Sequence, residues 1–279
     1  QQVVVFTDRS VSAMQYIGPP FTFGLAEVST NTSILGQNAA VAVGDAVYWM
    51  GNDVFYRYDG NVSIIPCPVE EFVFDNVNTS QLSKVTAGSN SEFNEVWWFY
   101  PSANSEANDR YVAFNYSDNT WFFGSLDRTA WDAGGVSGFP IAASPDGNIY
   151  FQENGISDGS TNPPSPLNSF VESSGIDVGD GDQFMSVKRI IPDVGFRNST
   201  GTPLVTFTLN ARTYPGSGTT QTESGNTVRT SSTPLEKYTN QIDVRLRGRS
   251  VSLRVESNEV NTQWRLGTPR IDIRPDGRR

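Results

Sequence analysis

Apolar residues in this chain recur in two ways: they alternate with polar ones at a period of two, or they gather in short aromatic and β-branched blocks. The three-to-four-residue spacing of a helix is almost absent, and clusters of Gly, Pro, Asn and Asp break the blocks at short intervals. A period of two sends successive side chains to opposite faces of a strand, so the pattern predicts an all-β protein of strands and turns.

Three blocks in the first half resemble one another: residues 44–52, 94–101 and 145–151 each place a turn before an aromatic strand. Taking Trp49, Trp98 and Tyr150 as equivalent gives spacings of 49 and 52 residues. Further strands follow the first two, at 54–58 with a turn at Asp59-Gly60, and at 111–116 with a turn at Ser117-Asp118-Asn119 before 120–124. A period of about 50 residues matches the longer β-propeller repeats. Three blades do not close a ring, which needs at least about four. Either further blades lie outside this chain or the strands close differently. Residues 1–6 read as a strand already under way, compatible with a longer protein of which this is a part.

Residues 156–168, with Pro163, Pro164 and Pro166, have linker composition, so blades are expected over 1–155 and a second domain over 169–279. There, 168–178, 185–196, 204–214, 240–246, 251–256 and 265–273 read as strands of a β-sandwich or jelly-roll. Residues 216–232, almost all Ser, Thr, Gly, Asn and Gln, read as a protruding loop.

Composition narrows the chemistry. The 279 residues include no histidine and one cysteine, Cys67, which excludes Ser-His-Asp and Cys-His nucleophile systems, His-ligated zinc and any disulfide within the chain. No run approaches the roughly 20 apolar residues of a membrane-spanning helix, and no basic-then-apolar leader opens the chain. Carboxylate chemistry remains, or none. Asp177, Asp180 and Asp182, spaced by Gly179 and Gly181, are the best candidates for a hard cation, but they lack the spacing and terminal Glu of a calcium loop, and an acidic turn between strands explains them better. Glu92, Glu95, Asp127, Asp132 and Glu153 could supply a glycosidase pair, and the sequence selects no two of them. Ser144-Pro145-Asp146-Gly147 is similar to part of a sialidase Asp-box but lacks its Thr-Trp ending, so it reads as a turn. The run 96–100, Val-Trp-Trp-Phe-Tyr, could floor a sugar site, but core packing explains it better. Cys67, between Pro66 and Pro68 with no basic neighbour, reads as an inert packed thiol. No cofactor is expected.

The net charge of −10 is divided unevenly. Residues 1–150 hold 5 basic and 16 acidic side chains, whereas residues 186–279 hold 15 basic and 8 acidic ones. Such a split suits two separate partners, or a head-to-tail contact between copies. The basic residues are ordered, and the first two runs read as a hairpin that turns at Gly248-Arg249-Ser250. Ile242, Val244 and Leu246 alternate with Asp243, Arg245 and Arg247; Val251, Leu253 and Val255 alternate with Ser252, Arg254 and Glu256; Ile271 and Ile273 lie between Arg270, Asp272 and Arg274. One face is core and the other arginine, so Arg245, Arg247, Arg254, Arg270 and Arg274 are the expected interface with another subunit or partner, since guanidinium forks fit carboxylate and phosphate alike. No base-reading helix accompanies them, so sequence-specific DNA binding is not expected.

The runs 16–24 (YIGPPFTFG), 51–60 (GNDVFYRYDG), 93–101 (FNEVWWFYP) and 264–275 (WRLGTPRIDIRP) resemble virion structural proteins of tailed bacteriophages. The order of propeller then sandwich looks, more loosely, like the tail hub or nozzle proteins of short-tailed phages, the packaged-DNA stabilisation proteins. The resemblance implies a non-enzymatic virion protein, made in the host cytoplasm. It would assemble as a homo-oligomeric ring of six, contact other tail or adaptor proteins, and close the DNA channel until ejection. It also implies further propeller strands before this chain. A carbohydrate-binding or carbohydrate-hydrolysing propeller acting on host-surface glycans is the competing expectation.

Overall fold

A computed structural model of the chain describes residues 2–136, 138–214 and 229–278. It is all-β, as the periodicity predicts, with helical structure among the described residues confined to Glu70–Phe74 and the 3-10 stretch Thr79–Lys84. No helix there is long and apolar enough to cross a membrane. The chain divides into two compact units, Gln1–Asn154 and Gly155–Arg279.

The first unit holds four antiparallel meanders in which each strand pairs with its sequence neighbour. They are β1 (Gln2–Phe6), β2 (Ser10–Gly18) and β3 (Thr22–Thr30); β4 (Ala40–Val43), β5 (Ala46–Met50), β6 (Phe55–Tyr58) and β7 (Val62–Ile65); β8 (Thr86–Asn90), β9 (Glu95–Tyr100), β10 (Arg110–Asn115) and β11 (Thr120–Ser125); and β12 (Ala130–Asp132), β13 (Ile141–Ala143) and β14 (Ile149–Phe151). Side-chain chemistry sets the turns. Between β10 and β11, Asn115 Oδ1 accepts the backbone N–H of Ser117 and of Asp118 at 3.0 Å each, and Asn119 takes up a left-handed φ of 54°.

The sheets stack face to face in chain order, which is why their strands carry aromatics on consecutive positions. Trp49 faces Val11 and Ala13 of the first sheet, while its neighbours Tyr48 and Met50 face the third. Trp98 and Tyr100 face the second sheet, while Trp97 and Phe99 face Trp131 at the fourth. A strand covered on both faces loses the polar half of its alternation. Indole N–H groups brace the stack: Trp98 donates to Ala39 O at the edge of the second sheet at 3.1 Å and Trp131 to Ser89 O of the third at 2.9 Å, while Trp49 donates to Ser33 O, on the connection between the first and second sheets, at 3.1 Å. Trp131 lies so close on β8 that a Cβ at Gly88 would fall 2.4 Å from its ring. Trp49 and Trp98 both sit on the second strand of a four-stranded sheet, as the repeat predicts. Tyr150 does not share that position; it lies on the third strand of a three-stranded sheet, and Trp131 supplies the corresponding indole tie.

In the second unit β15 (Ser169–Glu172), β16 (Ile176–Asp177), β17 (Met185–Ile191), β18 (Val194–Gly195), β19 (Leu204–Arg212), β20 (Arg229–Glu236), β21 (Ile242–Gly248), β22 (Ser250–Ser257), β23 (Arg265–Leu266) and β24 (Arg270–Pro275) form three sheets. One runs β15-β22-β19-β20 with β16 also on β22, a second β21-β17-β24, and β18 pairs with β23. The two larger sheets share one largely aliphatic core, with Val205, Phe207 and Leu209 from one and Val187, Ile190 and Leu246 from the other. Alternation is strict along β19 and β21. In β17 a bulge between Val187 and Arg189 lets Lys188 and Arg189 both face outward, where strict alternation would bury one of them. Residues 156–168 belong to this unit, and Asp158 and Ser165 exchange two backbone hydrogen bonds there. Of the expected polar loop at 216–232, residues 216–228 lie outside the described residues. Residues 229–232 instead open β20, where Thr208 and Ser232 hydroxyls lie 2.9 Å apart and Thr230 donates to Asn210 Oδ1, so polar side chains ladder across the pair.

Candidate functional site

The outward face of β21-β17-β24 gathers most of the basic residues singled out by the sequence. The register sets Ser186 beside Arg247 and Arg274, Arg189 beside Asp243 and Asp272, and Ile191 beside Arg270. Arg245 and Arg270 are exposed there and make no ion pair among the described residues. Arg247 Nε donates to Asp276 Oδ2 at 2.6 Å, and its guanidinium, with that of Arg249, lies over the Phe184 ring at 4.2 and 4.8 Å. Arg189 and Arg274 share Asp272 at 3.5 and 3.6 Å. Arg254 is not on this face. It projects from β22 in the other sheet, donates to Glu256 and Glu172 at 2.8 and 3.1 Å, and covers Phe170 at 4.0 Å. The sheets share their core, so their outer faces carry separate surfaces. Strand alternation revealed which side chains leave the core but not which sheet each strand joins.

The three aspartates do not assemble a cation cage. Among the described residues no three His, Cys, Asp or Glu side chains come together to hold a metal. Asp182 pairs with Arg278 at 3.2 Å, and its carbonyl accepts Arg249.

Of the five carboxylates considered for acid–base work, two share a corner. Glu95 and Asn90 face each other across β8 and β9, and Asn90 Nδ2 donates to Glu153 Oε1 at 3.3 Å. Glu95 accepts the Trp97 indole N–H at 3.0 Å. Burial, with the Glu153 charge adding to it and the indole opposing it, pushes the Glu95 carboxyl up to about 7. Desolvation and Glu92 raise Glu153, and burial, Glu95 and Glu153 raise the Tyr111 phenol. The Glu153 residue is exposed overall, and its carboxyl meets the buried Asn90 amide. Asn90 was missed by sequence reasoning: it is buried and its Oδ1 has no partner, which no local pattern signals.

Glu92 is exposed and reaches the corner only as a charge near Glu153, whereas the remaining two are engaged in structure. Asp127 accepts Arg128 at 2.9 Å and Ser144 at 3.0 Å, and Asp132 caps the Gly134 N–H. Asp146 accepts Tyr150 Oη at 2.5 Å and the Asn148 backbone and amide, which together hold its carboxyl down at about 2. This is a turn clasp, as the incomplete Asp-box suggests. Burial pushes the half-buried Cys67 thiol up to about 11, so it is scarcely ionised near neutrality.

No protein-family model matches this chain, and no curated protein matches it either. Function therefore rests on the residues and their arrangement.

Proposed function

We propose that this chain is a structural component of a bacteriophage tail, a hub or nozzle protein of the virion whose copies form a ring of six around the DNA channel. The ring retains packaged DNA and passes it at ejection, and the protein catalyses nothing. In this reading the four meanders of the first unit are propeller-type blades and the second unit is a β-sandwich docking module. Support for the blades comes from β4, β8 and β12, the first strands of three successive sheets, which lie side by side while the sheets stack. The observation that carries the function is the first unit as a whole. It is a stiff, indole-tied stack with a strongly acidic balance, and such a wall repels phosphates and lets DNA slide where a basic one would hold it.

The face bearing Arg245, Arg247, Arg270 and Arg274 would then dock an acidic surface on a neighbouring tail or adaptor protein. Replacing Arg245 and Arg274 by Glu is expected to leave the chain folded and to prevent its incorporation into particles. Normal incorporation of that double variant would contradict the docking role.

One observation favours a carbohydrate-active alternative: Glu95 and Glu153 share a corner beside Trp97 and Tyr111, with Glu95 poised as an acid near neutrality. Polysaccharide cleavage by the wild type that Glu95→Gln abolishes would establish it. Absence of cleavage leaves the tail reading in place.

A further inference from the structure

The carboxylate corner holds a polar atom that its hydrogen bonds leave unanswered. Asn90 is 1% exposed; its Nδ2 donates to Glu153 Oε1 at 3.3 Å, while its buried Oδ1 accepts from no donor. A buried acceptor left empty is costly, so it calls for a partner. The pairing of β8 with β9 sets Asn90 directly opposite Glu95, both on the face toward the fourth sheet, with Cβ atoms about 4.5–5.5 Å apart. Glu95 accepts the Trp97 indole N–H through Oε2 at 3.0 Å, which leaves its Oε1. Asn115, opposite Glu95 on β10, commits its own amide to Phe93 O and to the N–H groups of Ser117 and Asp118. The titratable groups acting on the corner are Glu92 in the turn between β8 and β9, Tyr111 of β10 and Glu153 just past β14; no basic residue is among them.

We propose that Glu95 is held protonated and donates from Oε1 to Asn90 Oδ1, completing a hydrogen-bond chain from Trp97 through Glu95 and Asn90 to Glu153 that latches the segment after β14 onto the third sheet. A protonated carboxyl is the one group at this corner that can both accept the indole and supply the missing donor. The chain ends on a strained residue: Glu153 has a left-handed φ of 56°, a conformation that a side chain disfavours and that surrounding contacts must hold. When Glu95 gives its proton to solvent, Oδ1 loses its donor and faces an ionised carboxylate. The Asn90 amide is then better turned with its NH2 toward Glu95, which releases Glu153. Burial keeps the Glu95 carboxyl up at about 7, so the latch is closed in acid and opens as pH rises through that value. The inference stands apart from both functional readings above, since it needs neither a tail partner nor a glycan.

The test follows the Glu95 carboxyl carbon by NMR in the whole 279-residue chain, beside hydrogen exchange of residues 149–154. In Glu153→Gln, where the neighbouring charge no longer contributes, adding Asn90→Leu replaces the amide by an apolar side chain of similar size that cannot accept. The Glu95 midpoint should then fall by about one pH unit, a tenfold loss of proton affinity. If burial alone raises Glu95, the leucine leaves the midpoint in place or lifts it, and that result would overturn the bond to Asn90. The second measurement needs no change at Asn90. Corrected for intrinsic rates, wild-type amides at 149–154 should exchange about tenfold faster at about pH 8 than at about pH 6. Glu95→Gln, whose amide donates at every pH, should abolish that difference. Protection that is the same at both pH values in the wild type would overturn the latch, whether or not the leucine variant folds.

Discussion

In the first unit Trp97 and Trp98 are sequence neighbours that belong to different cores, whereas in the second Leu246 is buried and its neighbours Arg245 and Arg247 point away from the core. The difference is one of layer number. A sheet inside a stack is covered on both faces and fills both with aromatics; a sheet in a two-layer unit is covered once and spends its other face on charge. The first unit thereby consists of cross-tied layers, and the second presents an arginine-bearing surface.

Truncating a shared aromatic gives the largest expected effect. Trp98→Ala removes a fully buried indole and its hydrogen bond to Ala39 O, and should cost the first unit about 4 kcal/mol, read as a downshifted transition in scanning calorimetry. Next comes close layer approach. Gly88→Val would drive a side chain into the Trp131 ring, prying the fourth sheet from the third at a cost of about 3 kcal/mol, with Trp131 fluorescence shifting red. Unchanged stability and emission in Gly88→Val would mean the two sheets are not packed as described.

The carboxylate corner gives a smaller, pH-dependent effect. The folded chain holds a proton on Glu95 up to about pH 7, while the unfolded chain releases it near the ordinary glutamate value of about 4.3. The Glu95 contribution to stability is therefore fullest at and below about pH 4.3 and declines as pH rises to about 7, by roughly 2 kcal/mol after discounting for partial exposure, then levels off. Glu95→Gln should flatten that slope in urea titrations at several pH values. The smallest effect belongs to the second unit's surface. Arg254→Ala breaks half-exposed pairs with Glu172 and Glu256 and should cost about 0.5–1 kcal/mol, less at high salt.

Much of this architecture was legible in the sequence where a single layer decides the pattern. The inward positions Ile242, Val244 and Leu246, and Val251, Leu253 and Val255, follow from period two alone, but their strands do not form the hairpin that the intervening turn suggests: each joins a different sheet across the shared core. The consecutive aromatics at 97–100 announce double burial, and the Trp49–Trp98 spacing marks the same strand position in two sheets. Long-range placement was not legible. Tyr150 looks like a third member of the repeat because its local turn is similar, yet it occupies a third strand, while Trp131, isolated among Asp, Ala and Gly, makes the packing contact. The start of β20 is too polar to read as a strand because its stability comes from the β19 backbone and a hydroxyl ladder. Arg254 was grouped with the other arginines because alternation is blind to strand order between sheets. The Glu95–Glu153 corner joins a residue of β9 to one just past β14, which no spacing rule connects.

The most direct test of the tail assignment is a cryo-EM reconstruction of the particle that contains this chain, refined first without and then with rotational symmetry. Repeated density on the tail axis around a bore wide enough for duplex DNA, with the acidic unit lining it, is the predicted result. Density confined to peripheral spikes or fibres, or none in the particle, would contradict it.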